Sequence, residues 1–145
     1  GIAAHVRTWN SPTSTGDHTL TGVPWQPQFG LMLHGTAITA GTAETDGDAE
    51  VFGISAFTAS ASSTSSISGD DAVTPSNTES ITDNKPVRLR NGNADFMTAT
   101  MSGWTSDGVT FNYSATDGTA RLRALLLIQA GAASAVRQRG AVMFE

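Results

Sequence analysis

Apolar and polar residues alternate with a period of two along much of this chain, most clearly within residues 95–129. In the middle of that stretch Val109, Phe111 and Tyr113 alternate with Thr110 and Asn112. Successive side chains of a strand point to opposite faces, so this pattern gives one apolar face and one polar face. We therefore predict a strand here that packs one face against a core.

Two Asp-Gly steps divide residues 95–129 into three segments of this kind. Asp107-Gly108 and Asp117-Gly118 are dipeptides typical of hairpin turns, so the stretch is interpreted as a β-meander. Its third segment is continuously apolar over residues 124–128, which favours a central strand buried on both faces. The second and third segments are expected to supply these core residues: Val109, Phe111, Leu122, Leu126 and Ile128.

Further short strands are predicted on both sides of this meander, separated by turn residues. They cover residues 4–9, 18–23, 29–34, 37–40, 51–60 and 86–90, with a last strand at 135–144. No apolar stripe at helical spacing is longer than two turns. The pattern predicts an all-β fold, an antiparallel β-sandwich or jelly roll with little or no helix. At 145 residues, the chain is expected to form a single domain over residues 1–145.

Residues 60–84 form a connector rich in Ser and Thr, with few apolar side chains. Such a composition buries little apolar surface, so we expect irregular structure or edge strands that contribute little to the core. A long segment of this kind inside a compact domain is usually functional or is held by a neighbour. We therefore expect neighbouring subunits to order it.

Charge and composition exclude several kinds of partner. The formal net charge is −5, whereas binding to nucleic acid depends on clustered Lys and Arg that neutralise phosphates. The longest apolar run is far shorter than the roughly 20 residues that a membrane-spanning helix needs. The absence of Cys removes disulfides and thiolate chemistry. Neither nucleic acid nor membrane is therefore expected as a partner, and no cofactor is expected.

The histidines and one acidic turn are the candidates for metal or catalytic chemistry. His5, His18 and His34 lack the spacing of sequence-recognisable metal sites and catalytic triads. The acidic turn could direct several oxygen atoms towards Ca²⁺, but it does not match the EF-hand spacing. The alternative, which we favour, is a solvated turn that keeps the surface soluble. Its four carboxylates belong to Glu44, Asp46, Asp48 and Glu50.

Six arginines occur as three pairs, each with one residue between its members. The two members of a pair lie on the same face of a strand, so neighbouring strands could form a basic stripe on an acidic protein. Such a stripe could bind carboxylates of a partner, since Arg makes bidentate contacts with them. Alternatively, the arginines are solvated and protect strand edges from aggregation. The pairs are Arg88 and Arg90, Arg121 and Arg123, and Arg137 and Arg139.

Three tryptophans are candidates for a different site. Trp9, Trp25 and Trp104 could stack on sugar rings. Trp25 lies between two prolines and Trp104 lies beside a turn, so both are equally well explained as lids on the core. The sequence leaves these alternatives open.

Two motifs carry a resemblance to a known group of domains. The segment GVPWQPQF at residues 22–29 precedes an apolar strand, and DGVTFNY at residues 107–113 precedes another. These patterns resemble the G-V-G-F-Q-P turn and the D-G-F-T-L-N-W strand of a domain that recurs in structural proteins of tailed bacteriophages. Here Pro24-Trp25 replaces Gly-Phe, while Val109 and Tyr113 replace Phe and Trp. The similarity covers residues 18–131.

This resemblance implies a place in a virion and no reaction. The implied function is a non-enzymatic structural virion protein on the surface of the phage particle, such as a head decoration or auxiliary capsid protein. It would bind the major capsid protein or other virion proteins as a homo-oligomer, with a trimer favoured. A receptor- or glycan-binding module of a tail fibre is the alternative. An enzyme such as a glycan hydrolase would need two carboxylates across a cleft, and the sequence singles out no such pair.

Overall fold

The computed structural model describes residues 1–41, 50–70, 77–91 and 94–131. Ten β-strands account for its regular structure, and the described part of the chain contains no helix. A helix able to cross a membrane is accordingly not found among these residues. The strands are β1 (Ile2–Asn10), β2 (Gly16–Leu20), β3 (Phe29–His34), β4 (Glu50–Thr58), β5 (Ser62–Asp70), β6 (Asn77–Asp83), β7 (Val87–Asn91), β8 (Ala94–Thr105), β9 (Gly108–Ala115) and β10 (Leu122–Ala130).

The strands form two antiparallel sheets that pack face to face. The larger sheet has six strands in the order β1-β10-β3-β4-β5-β6, and the smaller has four in the order β2-β9-β8-β7. The first strand pairs with the last, and the second pairs with the ninth, so the two ends of the described chain are nested. The prediction of an all-β sandwich is confirmed, whereas the strand predicted at 37–40 is wrong, because these residues form bends and a turn.

The meander predicted over residues 95–129 is only half correct. Strands β8 and β9 form a hairpin whose turn contains Asp107, as the Asp107-Gly108 step predicts. The Asp117-Gly118 step instead carries the chain from β9 in the smaller sheet to β10 in the larger one. Strand β10 does have a partner on each side, as predicted for a central strand. The Asp-Gly signal marks a turn, but it does not determine which strands pair.

The core lies between the sheets, and its composition corrects one strand of the prediction. Val109 and Phe111 of β9 are fully buried, as predicted. On β10 the side chains that point inward are Arg123, Leu125 and Leu127. The predicted core residues of that strand are half-buried on the opposite face, so the prediction is wrong for Leu122, Leu126 and Ile128.

An aromatic cluster fills the middle of the core. The Phe57 ring stacks on Trp104 with centroids 5.7 Å apart and meets Phe111 edge to face at 5.2 Å. It lies against the backbone of Gly30 on the neighbouring strand, where an added Cβ atom would come within 2.2 Å of the ring. Glycine is thus required at position 30 because any side chain would occupy the volume of the Phe57 ring.

The described part of residues 60–84 forms two strands, of which β5 lies inside the larger sheet and β6 lies at its edge. Strand β5 pairs on both sides, and its inward side chains carry hydroxyls, including those of the buried Thr64 and Ser66. Three of its hydroxyls donate to backbone carbonyls in β7 or shortly before it. The expectation that this segment adds little to the interior is therefore wrong for β5, because bonded hydroxyls can be buried at low cost. The bonds run from Ser62 to Asn84 at 2.8 Å, from Thr64 to Lys85 at 2.5 Å and from Ser66 to Arg88 at 3.0 Å.

Candidate functional site

The outer face of the larger sheet, on the side away from the core, is apolar across four neighbouring strands. The register aligns its side chains in rows; in one of them Val6, Leu126, Leu31 and Ala56 lie side by side on β1, β10, β3 and β4. We call this surface the apolar face. Its members are Ile2, Ala4, Val6, Leu122, Ala124, Leu126, Ile128, Phe29, Leu31, Leu33, Phe52, Ile54 and Ala56.

The large side chains of the apolar face are exposed to an unusual degree. Val6 is 74% exposed, Phe52 58% and Ile54 43%. Soluble monomers rarely expose contiguous apolar patches larger than a few hundred Å², and larger ones mark contact sites. Strands β10, β3 and β4 carry apolar residues at both inward and outward positions, which is the pattern of a sheet that is covered on both sides.

The apolar face also carries almost no charge. Among the outward positions of β1, β10, β3 and β4, all of which are described, Glu50 at the start of β4 is the one ionisable residue. It lies at the margin, beside Gly69 of β5. A partner would therefore bind this surface through apolar burial and shape, with little contribution from ion pairs.

The outer face of the smaller sheet is polar and differs sharply from the apolar face. Asp17 accepts hydrogen bonds from the Asn112 side-chain amide at 2.8 Å and the Ser102 hydroxyl at 3.2 Å. Thr19 and Thr110 share a hydroxyl hydrogen bond across β2 and β9 at 2.8 Å. These groups are suited to water, so the sandwich has one wettable side and one apolar side.

Arg88 and Arg90 lie on β7, at the edge of the smaller sheet, and both are already paired with acids of this chain. The Arg88 guanidinium is 2.8 Å from Asp95, and Arg90 is 2.8 Å from Glu79 on the edge strand of the larger sheet. Because these carboxylates neutralise the arginines, the pair does not present free positive charge to a partner.

Arg121 lies just before β10 and Arg123 lies near its start, in the other sheet, and neither projects into solvent. The Arg121 Nε donates to Asp117 at 2.5 Å. Arg123 is only 2% exposed, and its Nη1 donates to the Gly35 carbonyl at 2.5 Å. Burial lowers the pKa of Arg123 to about 10. A partner cannot reach Arg123, and its reversal to Glu would bury an unpaired carboxylate.

The arginines that the structure describes therefore do not form one exposed basic stripe. The two described pairs lie on different sheets and contact separate sets of carboxylates and carbonyls. Arg137 and Arg139, together with the strand predicted at 135–144, lie outside the described residues.

Three of the four acids in the acidic turn also lie outside the described residues, namely Glu44, Asp46 and Asp48. The fourth, Glu50, is an exposed residue at the start of β4. Across the described ranges, no group of three or more His, Asp or Glu side chains is arranged to hold a metal ion. For this turn the calcium hypothesis therefore rests on the sequence alone.

The tryptophans pack against the core and are half-buried. The Trp9 ring lies 5.8 Å from that of Phe111, and Trp104 stacks on Phe57. Trp25 packs on the same core from the loop before β3. The three rings lie on separate elements and each covers part of the core, so they do not form one shared surface on which a sugar could stack.

A buried polar pair lies beneath the apolar face, inside the sandwich. The His34 Nε2 and the Ser55 hydroxyl are 3.0 Å apart, and both residues are at most 2% exposed. Burial, together with the nearby charge of Arg123, lowers the pKa of His34 to about 3. No described residue bonds to its Nδ1. A neutral His beside a Ser resembles nucleophile chemistry, but no substrate can reach it here.

Sequence reasoning missed the apolar face, although its signal was present. Strand β10 is apolar at every position from 124 to 128, and β3 and β4 also carry apolar residues in both phases. The pattern is equally that of strands buried within one domain.

Comparisons of the chain with protein-family models, with curated proteins and with solved structures found no match.

Proposed function

We propose that this protein is a non-enzymatic structural component of a tailed-bacteriophage virion, most specifically a head decoration or auxiliary capsid protein on the particle surface. The apolar face carries this proposal. A surface with so many exposed large side chains and one marginal charge is suited to contact with other protein subunits.

A virion offers such contacts in a repeating arrangement. An oligomer bound to a lattice gains affinity through multivalency, so each copy needs only a modest contact. One side of the sandwich would meet protein while the polar outer face of the smaller sheet meets water. The motifs at residues 22–29 and 107–113, which resemble phage structural domains, support the same role.

The alternative of a glycan-binding module in a tail fibre gains no support from the site. Trp9 and Trp104 use a ring contact to pack on Phe111 and Phe57. An enzymatic role would place reactive groups within reach of solvent, whereas the His34–Ser55 pair is sealed.

The proposed role is tested by locating the protein in phage particles. Gradient-purified particles would be analysed by quantitative mass spectrometry and by electron cryomicroscopy. We expect a fixed copy number relative to the major capsid protein and density for a ten-stranded sandwich on the capsid surface. Absence from particles washed free of lysate would refute the virion role, and density at a fibre tip would support the tail-fibre alternative.

A further inference from the structure

We infer that the apolar face binds the apolar face of a second copy of this chain, giving an isologous, two-fold dimer of sandwiches. The inference deepens the proposed function, on which it rests only for the idea that copies associate. The occupant is assigned from three properties of the surface, namely its lack of charge, its area and its geometry.

The lack of charge makes the face compatible with itself. In a two-fold interface each residue near the axis meets its own copy, so a charged group there would face a like charge. The apolar face has no ionisable side chain away from its margin, where Glu50 lies. A surface specialised for a different, charged partner would carry complementary charges, and this one has none to offer.

The area of the face approaches that of a standard protein–protein interface. Four strands spaced about 4.8 Å apart, with residues rising about 3.4 Å, give a plane of about 500 Å². Side chains stand above that plane, so the accessible area is larger, and Ile67 of β5, which is 50% exposed beside Phe52, extends it. A standard interface buries about 800 Å² on each partner, which is within reach of this surface.

The geometry of the face also matches a second copy. Two sheets pack face to face at about −30° because each has the same twist, and two copies of one sheet meet this condition. Small residues lie beside large ones on this face, since Ala56 is opposite Leu31 and Ala124 is opposite Leu33. Such relief lets the side chains of two copies interdigitate, as they do inside a sandwich.

Sedimentation velocity of the full chain over a concentration series tests the inference. The wild type is expected to sediment as a dimer. Ile54→Asp places a charge in the middle rows of the face and should raise the dimer dissociation constant by at least about 30-fold, the effect of losing one hot-spot residue. Val6→Asp, at an even more exposed position, should also raise the dimer dissociation constant. Agreement between the two variants shows that the effect belongs to the face and not to one site.

Thr100→Asp is the matched control, because Thr100 is exposed on the outer face of the smaller sheet, opposite Asn112. It adds the same charge and should leave the dimer intact. Melting curves of all three variants verify that each is folded. A monomeric wild type, a trimer, or a dimer disrupted by Thr100→Asp but not by Ile54→Asp would overturn the inference.

Occupancy on phage particles, measured in parallel, separates this inference from the proposed function. If the wild type is a monomer that binds particles, and Ile54→Asp abolishes this binding, the apolar face contacts another protein of the particle. That result would overturn the dimer but would leave the virion role intact. A dimer that is sensitive to Ile54→Asp but absent from particles would support the dimer and refute the virion role.

Discussion

Mild acid is expected to destabilise this protein through His34, before most carboxylates are protonated. The ordinary pKa of 6.5 falls to about 3 in the folded state, because the ring is buried and lies near the charge of Arg123. Below pH 6.5, His34 therefore binds a proton in the unfolded chain but stays neutral in the folded chain. Stability from this group is present above the unfolded pKa and is lost as the pH falls from 6.5 towards 3.

The size of the effect follows from the two pKa values. Between pH 7 and pH 5 the unfolded state gains about 2 kcal/mol from protonation at this one site, while the folded ring stays neutral. For a domain of this size such a loss lowers the melting temperature by about 6 °C. Carboxylates with ordinary pKa values near 4 contribute little in this window.

The assay is urea unfolding at pH 7, 6 and 5, at a fixed protein concentration because association would add to the stability. His34→Gln keeps a polar side chain near Ser55 but cannot titrate, so its unfolding free energy should change far less with pH than that of the wild type. His5→Gln, which retains His34, is the control and should keep the wild-type slope. Equal slopes for wild type and His34→Gln would refute the reasoning.

Two further substitutions test the packing. Gly30→Ala brings a Cβ within 2.2 Å of the Phe57 ring and should cost about 1–3 kcal/mol of unfolding free energy, whereas Gly69→Ala, with open space around its Cβ, should stay within about 0.5 kcal/mol of wild type. Ser66→Ala leaves a buried carbonyl acceptor near β7 without its hydroxyl donor and should cost about 1–3 kcal/mol, while exposed Ser63→Ala should be nearly neutral. Urea unfolding measures all four, and a Ser63→Ala loss as large as that of Ser66→Ala would count against the role assigned to the hydroxyls.

Sequence patterning predicts an element well when its two faces differ. In β9 the apolar and polar residues alternate, and the inward positions of Val109 and Phe111 follow directly. In β10 both phases are apolar, so the period of two contains no information about which face is inside. Arg123 then suggests the wrong inward face for β10. A guanidinium is expected in water, but here it bonds to backbone carbonyls inside the sandwich.

The Ser/Thr-rich segment and the apolar face show a second limit. Composition predicts that hydroxyl side chains avoid the interior. In β5, however, Thr64 and Ser66 are buried because backbone carbonyls near β7 accept hydrogen bonds from their hydroxyls. Those acceptors come from distant positions in the chain and cannot be inferred locally. The apolar face likewise emerges only when β1, β10, β3 and β4 are placed side by side, since each strand alone could be an ordinary core strand.

The nested pairing of first and last strands has a consequence for synthesis on the ribosome. Val6 pairs with Leu126, so β1 cannot pair with β10 until nearly all of the described chain has been synthesised. Contacts between distant residues make folding slow, and growing chains with unpaired strands are prone to aggregate. Because β10 lies between β1 and β3, the apolar face is not contiguous until that strand has been made. Growing chains thus lack the complete surface, which forms only when β10 inserts between β1 and β3.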